Sequence, residues 1–263
     1  MNDVTPLIEA SKEIIPQVYE DGLQPAVKEV GKSLQTITKL VNVALAPLSA
    51  IVWGYDKIKE FIIPALEKRL KNVPPEKIIT PDAMIAGPVL ESLRYTGHVE
   101  ELRTLYANLL ASAMNSDTSQ EAHPAFTEII KQLSADEAKI LSNLKIYKAH
   151  PVINVRNYDD NTYFYYLRDF STIGYEFNCK NPELISTYLR NLERLGLIII
   201  SYQANTISSY DSLINHPQVN QVKKTITDLH KTVNIEQGYF AFTELGKQFF
   251  WTVVSNKSKI ESA

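Results

Sequence analysis

One cysteine, Cys179, serves the whole chain of 263 residues. No intramolecular disulfide can form from it, no CxxC metal knuckle exists, and a reducing cytoplasm is the compartment that fits. Glycine is scarce too, with nine residues in all, too few for a glycine-rich phosphate cradle. The phosphate-loop pattern GxxxxGKS/T, the dinucleotide pattern GxGxxG, the nucleophile elbow GxSxG and the zinc pattern HExxH are all missing. Nor is there an excess of positive charge. The 27 Lys and Arg are outnumbered by 30 Asp and Glu, for a formal charge of −3 and a pI near 6.0, which argues against a protein whose main task is gripping phosphate backbones. The start, Met1-Asn2-Asp3, has no basic region leading into an apolar core, so no signal-peptide pattern is seen.

The apolar material that is present, 44% of the chain, is ample for a core. From Leu23 to Val52 it falls in steps of three and four, the spacing of one helical stripe. Between Lys39 and Asp56 no charge occurs (LVNVALAPLSAIVWGY), and Trp53 and Tyr55 close the run. An apolar run with an aromatic edge is the pattern of an interfacial segment, with Leu45, Leu48, Ile51, Val52 and Trp53 as the membrane-contact candidates. It is shorter than the roughly 20 residues a spanning helix needs and contains Asn42 and Pro47. A buried helix kinked at Pro47 is therefore the preferred reading. A second amphipathic helix follows, with Ile58, Phe61, Ile62, Ala65, Leu66 and Leu70 inward and its charges on other faces. Asn72-Val73-Pro74-Pro75 stops it.

Pro81-Asp82 opens the next helix, on which Ile85, Val89 and Leu93 share a face, and Gly97 breaks it from a further one bearing Leu102, Leu105 and Leu109. Pro124 starts a short helix with Phe126, Ile129, Ile130 and Leu133 inward. Ser134 with Glu137 three residues on reads as a capping box. The blocks IAGPVLESLRYT (Ile85–Thr96), ELRTLYANLLASAMN (Glu101–Asn115) and HPAFTEIIKQLSADEAKIL (His123–Leu141), preceded by VPPEKIITP (Val73–Pro81), resemble the Abi-alpha family of bacterial proteins. The family's name implies abortive infection, a defence against bacteriophage, and the resemblance carries no catalytic residue to transfer. His123 has no second metal ligand at a suitable spacing and reads as structural. Arg94 and Arg103, with Glu91 and Glu101 nearby, read as helix-surface or interhelical pairs, and with His123 they are the interface candidates.

Beyond Leu144 the pattern changes. Val152, Ile153, Val155 and Tyr163-Phe164-Tyr165-Tyr166-Leu167 read as β structure or an aromatic layer, and Asp159-Asp160 as a hairpin turn. Asn181-Pro182 reads as cap and first turn of a helix ending at Gly196, followed by a strand over Leu197–Tyr202. Tyr239–Phe242 is a second strand, and Thr243-Glu244-Leu245-Gly246 opens a closing helix. This order resembles a winged-helix domain with an insertion, Asn205 to Asn234, between its wing strands; Val219, Val222, Ile226 and Leu229 predict a helix within it. Arg190 and Arg194, with Lys223 and Lys224 on the insertion, are the nucleic-acid candidates, set against Glu183 and Glu193 on the same helix.

The sequence thus predicts a mainly α protein. A helical Abi-alpha-like module spans 1–144, a winged-helix-like α+β module 145–255 and a polar tail 256–263. The function expected is a non-enzymatic phage-defence protein that senses or binds a partner, another protein or a second copy of itself. The alternatives are a membrane-disrupting effector using residues 23–72 and a winged-helix DNA-binding regulator. No cofactor, metal or small-molecule substrate is expected, and the location expected is the cytoplasm, with peripheral contact at the inner membrane face in the membrane reading.

Overall fold

The computed structural model describes residues 54–159, 162–203 and 207–255. The stripe expected over Leu23–Val52, the membrane-contact candidates Leu45, Leu48, Ile51, Val52 and Trp53, and the tail 256–263 lie outside the described residues. Within them the protein is helix-rich with a four-stranded antiparallel sheet. The described chain forms two compact units, 54–132 with 251–255, and 133–250.

In the first unit, helix α1 (Tyr55–Leu70) follows Gly54, which sits at φ 85, a left-handed conformation that costs glycine little. Ile58, Ile62, Leu66 and Leu70, four apart, are all buried. Pro64 has no N–H to give the Glu60 carbonyl and so removes one intrahelical bond, and Glu60 is exposed. Helix α2 (Ala83–Thr96) starts where Asp82 accepts the Met84 N–H at 2.8 Å, the ordinary reward for an acid at the cap. Helix α3 (Glu100–Ala113) packs against α1, α2 and the short α4 (Ala125–Lys131). Its Leu105, Tyr106 and Leu109 are 2% exposed or less, each such burial stabilising by about 1.5–3 kcal/mol. A polar residue joins them. Asn108 of α3 accepts from the Arg69 guanidinium and donates to the Val253 carbonyl at 2.7 Å, while Ser112 donates to Thr252 at 2.8 Å. These side chains satisfy carbonyls of the terminal π-helical turn, Phe250–Val254.

The second unit begins at helix α5 (Ala135–Asn143), whose capping box forms as expected: Ser134 accepts from the Glu137 N–H, and Glu137 accepts from the Ser134 N–H at 2.6 Å. The sequence division after residue 144 counts α5 with the helical half, whereas α5 belongs to the second unit. Its two N-terminal acids are the reason. Glu137 accepts from the Asn191 amide at 2.7 Å; Asp136 accepts from the Lys180 and Asn181 N–H groups at 2.7 and 3.0 Å and from the Tyr188 hydroxyl at 2.9 Å. Asn181 is bound through its own N–H and makes no side-chain cap, and Pro182–Leu184 is a 3-10 turn before the helix proper.

Strand β1 (His150–Asp159) and strand β2 (Thr162–Phe170) form an antiparallel hairpin, paired as far as Asp159 with Thr162. The short helix α6 (Ile173–Glu176) leads to α7 (Ile185–Arg194), on which Ile185, Tyr188, Leu189 and Leu192 are buried. Gly196 turns the chain at φ 74 into strand β3 (Ile198–Ser201). Helices α8 (Asp211–Ile214) and α9 (Pro217–Asp228) pack on the sheet, α9 through Val219 and Ile226. Leu229, expected inward with them, is 54% exposed, because the helix ends one residue earlier. Strand β4 (Thr232–Phe242) pairs with β1 and β3 to give the order β2-β1-β4-β3. Thr243 then caps α10 (Glu244–Phe249) by accepting the Gly246 N–H at 2.9 Å.

Asp136 gives the first prediction. Burial alone would push its carboxyl up; the Lys180 and Asn181 N–H groups and the Tyr188 hydroxyl outweigh this and hold it below the usual carboxylate value. A pKa lower folded than unfolded stabilises fully above the ordinary carboxylate range, and the contribution is lost as pH falls through the folded value. Asp136→Asn is expected to cost about 2–3 kcal/mol near neutral pH and to flatten the acid limb of the urea-midpoint profile. An unchanged profile would count against this role.

Candidate functional site

The polar side chains of the second unit gather on one face of the sheet. Side chains alternate along a strand, so Asn154 and Arg156 leave β1 on one side and Ile153, Val155 and Asn157 on the other. Opposite Asn154 stands Glu236 of β4, and opposite Arg156 stand Asn234 and Tyr165. An irregularity in the β1–β2 register beside Val155 brings Arg168 onto the face of Tyr165.

At one end of this face a carboxylate is buried. Asp169 is 1% exposed, and its backbone is held at φ 51, a left-handed conformation Asp tolerates better than most residues. Its oxygens accept two bonds from the Arg190 fork, Nε at 2.7 Å and Nη2 at 2.8 Å, and its N–H donates to Asn154 Oδ1 at 2.8 Å. The Tyr202 hydroxyl lies 2.9 Å from Asp169 Oδ1 and 3.0 Å from Asn154 Oδ1. It has one proton, which goes to the charged acceptor. Burial, then the Asp169 charge and this hydrogen bond, push the Tyr202 hydroxyl well above its ordinary pKa. The Asp169 hydrogen bonds do the same for Arg190. Asn154 in turn donates to Glu236 at 2.8 Å, and Glu193 accepts from Arg190 at 2.7 Å and from the Ile200 N–H at 3.1 Å. Gly238 makes room: a Cβ there would lie 2.5 Å from the Tyr202 ring. Donors and acceptors in this cluster are matched to one another, so it positions β2, α7 and the end of β3.

The other end of the face is open. The Arg156 guanidinium lies between two rings, 4.6 Å from the centre of Tyr163 and 5.6 Å from that of Tyr165; Arg168 lies over Tyr165 at 4.2 Å. The result is a stack, Tyr163–Arg156–Tyr165–Arg168, built from cation–π contacts worth about 0.5–1 kcal/mol each when exposed. Arg156 spends its N–H groups on Asn234 at 3.0 Å and the Tyr165 hydroxyl at 3.1 Å, with Glu236 3.7 Å away. Arg168 is exposed, and among the described residues its N–H groups meet no acceptor. Tyr163 is 56% exposed and Phe164, on the opposite face, 62%.

The residues singled out from sequence stand elsewhere. Arg190 gives its fork to Asp169; Arg194 is exposed and bonds Asn191 at 2.7 Å. On α9, Lys223 donates to the Ile214 carbonyl at 2.6 Å and Lys224 is exposed. In the first unit, Arg94 is exposed beside Tyr95, Arg103 lies 4.9 Å over the Phe61 ring of α1, and exposed His123 accepts the Ala125 N–H at 3.1 Å at the start of α4. Cys179 is buried, its thiol pushed up by burial and then by the Asp136 charge. A cleft of about 460 Å³ lies beside the start of α2, lined by Thr80, Asp82, Ser119 and Gln120 among others. Among the described residues no group of three or more His, Cys, Asp or Glu could hold a metal. Sequence reading missed Asn154, Arg156, Arg168, Asp169 and Tyr202, which the fold assembles from separate strands. The one local signal was Gly238, a glycine inside a strand, which marks close approach.

A family model described as abortive infection alpha matches residues 54–253. No curated protein matches the chain. A solved structure of an uncharacterized protein from the hydrocarbon-degrading marine bacterium Alcanivorax borkumensis SK2 is similar over 53% of this chain and 96% of its own, at 17% identity and a TM-score of 0.36. A likeness that slight carries no argument.

The Asp169 cluster predicts a graded loss. Asp169→Ala strands the Arg190 fork and the Tyr202 hydroxyl and is expected to lower unfolding free energy by about 2–3 kcal/mol, discounted because Arg190 is half exposed. Tyr202→Phe removes one hydrogen bond, about 1 kcal/mol. Denaturant unfolding that ranked the two equally would contradict this arrangement.

Proposed function

The chain belongs to the abortive infection alpha family, and from that membership we propose that it is a phage-defence protein that acts by binding a partner rather than by catalysis. The observation that carries the reading is the Tyr163–Arg156–Tyr165–Arg168 stack. Tyrosine and arginine are among the residues that dominate binding energy at protein interfaces, and here they stand together on one strand pair. Arginine faces spent on rings leave the N–H edges of Arg168 for an acceptor on a partner.

In this reading α7, β3, β4 and α10 make a winged-helix-like scaffold, with the chain between β3 and β4 inserted between its wing strands, the insertion ending at Lys231 rather than at Asn234 because β4 begins at Thr232. The Arg190–Asp169 pair supports a scaffold over a base-reading helix, since a guanidinium committed to an internal carboxylate is a poor phosphate anchor. The DNA-regulator reading draws less support for the same reason. No helix of the described residues is long and apolar enough to cross a membrane, and the segment on which the membrane-disrupting reading rests lies outside them. A cytoplasmic site of action goes with a lone buried thiol.

The double substitution Tyr163→Ala with Arg168→Glu is expected to reduce protection in a plaque assay by at least about tenfold, the scale of one interface hot spot. Far-UV circular dichroism and the thermal midpoint should hold, since both side chains are exposed. Full protection by the folded variant would sink the reading.

A further inference from the structure

Arg168 shares a face of the sheet with Tyr165 because β2 carries an extra residue. Val155 pairs with Leu167 and Arg156 with Tyr165, so Tyr166 is inserted between two paired residues. Side chains alternate along a strand. Without the insertion Arg168 would leave β2 on the face opposite Tyr165; with it, the guanidinium reaches the ring at 4.2 Å. The next residue, Asp169, is tied down in turn. Its oxygens accept the Arg190 fork and its N–H is bonded to Asn154. Arg168 is thus placed from two sides, by a ring against its face and by a backbone neighbour bonded to β1 and α7.

What such a guanidinium offers is its edge. The group is planar, and with a face laid on a ring its in-plane N–H groups form a fork that a carboxylate matches with both oxygens. Among the described residues the Arg168 N–H groups meet no acceptor.

The surroundings choose between anions. A nucleic-acid strand presents a phosphate at every nucleotide and is gripped by several cations together. Arg156 and Arg190, on this side of the sheet, are already engaged, the first with Asn234 and the Tyr165 hydroxyl, the second with Asp169 and Glu193. Glu236 and Glu193, whose side chains are 28% and 30% exposed, add like charge against a run of phosphates. The whole chain is itself acidic, at −3. A phosphomonoester, at roughly −1.5 to −2, likewise calls for more than one cation. One fork beside a tyrosine ring suits a single planar anion of unit charge.

We infer that Arg168 anchors an aspartate or glutamate side chain of a partner protein, its fork taking the carboxylate while Tyr165 holds its face. The inference rests on the reading of this hairpin as a partner-binding surface and names what the partner brings to it.

The probe is the tripeptide acetyl-Glu-Glu-Glu-amide, titrated into the full chain while the arginine Nε–Hε resonances are followed by NMR. The Arg168 resonance is expected to move saturably, with a dissociation constant on the order of 1 mM. Arg94 supplies the comparison in the same sample. It is exposed as well, 5.6 Å from the centre of the Tyr95 ring, and should respond at least about tenfold more weakly. Arg168→Lys keeps the charge and loses the fork, so binding read on the Tyr165 ring signals should fall at least about tenfold. Circular dichroism should hold, since the side chain is exposed. An Arg168 resonance that stays still, an Arg94 response as strong, or an Arg168→Lys protein that binds as tightly overturns the inference. So does tighter binding of inorganic phosphate or of oligo-dT at the Arg168 resonance, which would assign the fork to a phosphate ligand. The plaque assay is a separate matter: protection lost in the double variant, beside an Arg168 resonance indifferent to the peptide, keeps the partner reading and removes only the carboxylate.

Discussion

A carboxylate inside a protein must be surrounded by donors or it will not stay ionised there. Asp169 meets that demand with the Arg190 fork and the Tyr202 hydroxyl, while its own N–H is taken by Asn154. Four segments distant in sequence, β1, β2, α7 and the chain just beyond β3, are fastened at one point. The left-handed backbone at Asp169 falls in the irregular step between the Leu167 and Phe170 pairings of β2, and Gly238 lets Tyr202 approach β4 closely enough to reach the carboxylate. The strand pair beyond inherits its position from this cluster.

That fastening also divides the arginines. Arg190 is committed to an internal acid, and Arg156 to Asn234, Tyr165 and the neighbourhood of Glu236. Arg168 is held by its face alone, over Tyr165. A cation fixed by stacking keeps its donors outward and loses little freedom when a partner arrives. Among the described residues Arg168 thus keeps its N–H groups uncommitted at the hairpin, while Arg190 of α7 does structural work. In the first unit, a similar economy puts Asn108 and Ser112 of α3 on the carbonyls of the terminal turn.

Elements whose cause is local were legible in the sequence. The Asp82 cap, the Ser134–Glu137 box, the stop at Gly196 and the four-residue spacing of Ile58, Ile62, Leu66 and Leu70 each act within a turn or two of chain, and each stands where its residues foretell. The family was legible too, from three helical blocks, and the model match extends it across residues 54–253. The candidate surface was not. Arg156 and Arg168 are unremarkable in a strand pattern, and what makes them a stack is a register irregularity that no local spacing announces.

By itself, then, the sequence determined the Asp82 and Ser134–Glu137 caps, the apolar spacing of the first described helix and the family, because those follow from propensity and periodicity over neighbouring residues. Only the tertiary structure decided that α5 joins the second unit, that Arg190 is spent on Asp169, and that Tyr163, Arg156, Tyr165 and Arg168 form one surface. Those outcomes depend on strand register and on hydrogen bonds between residues tens of positions apart. Such pairings are set by how the whole unit packs, and a one-residue change of register would have turned the same side chains to opposite faces.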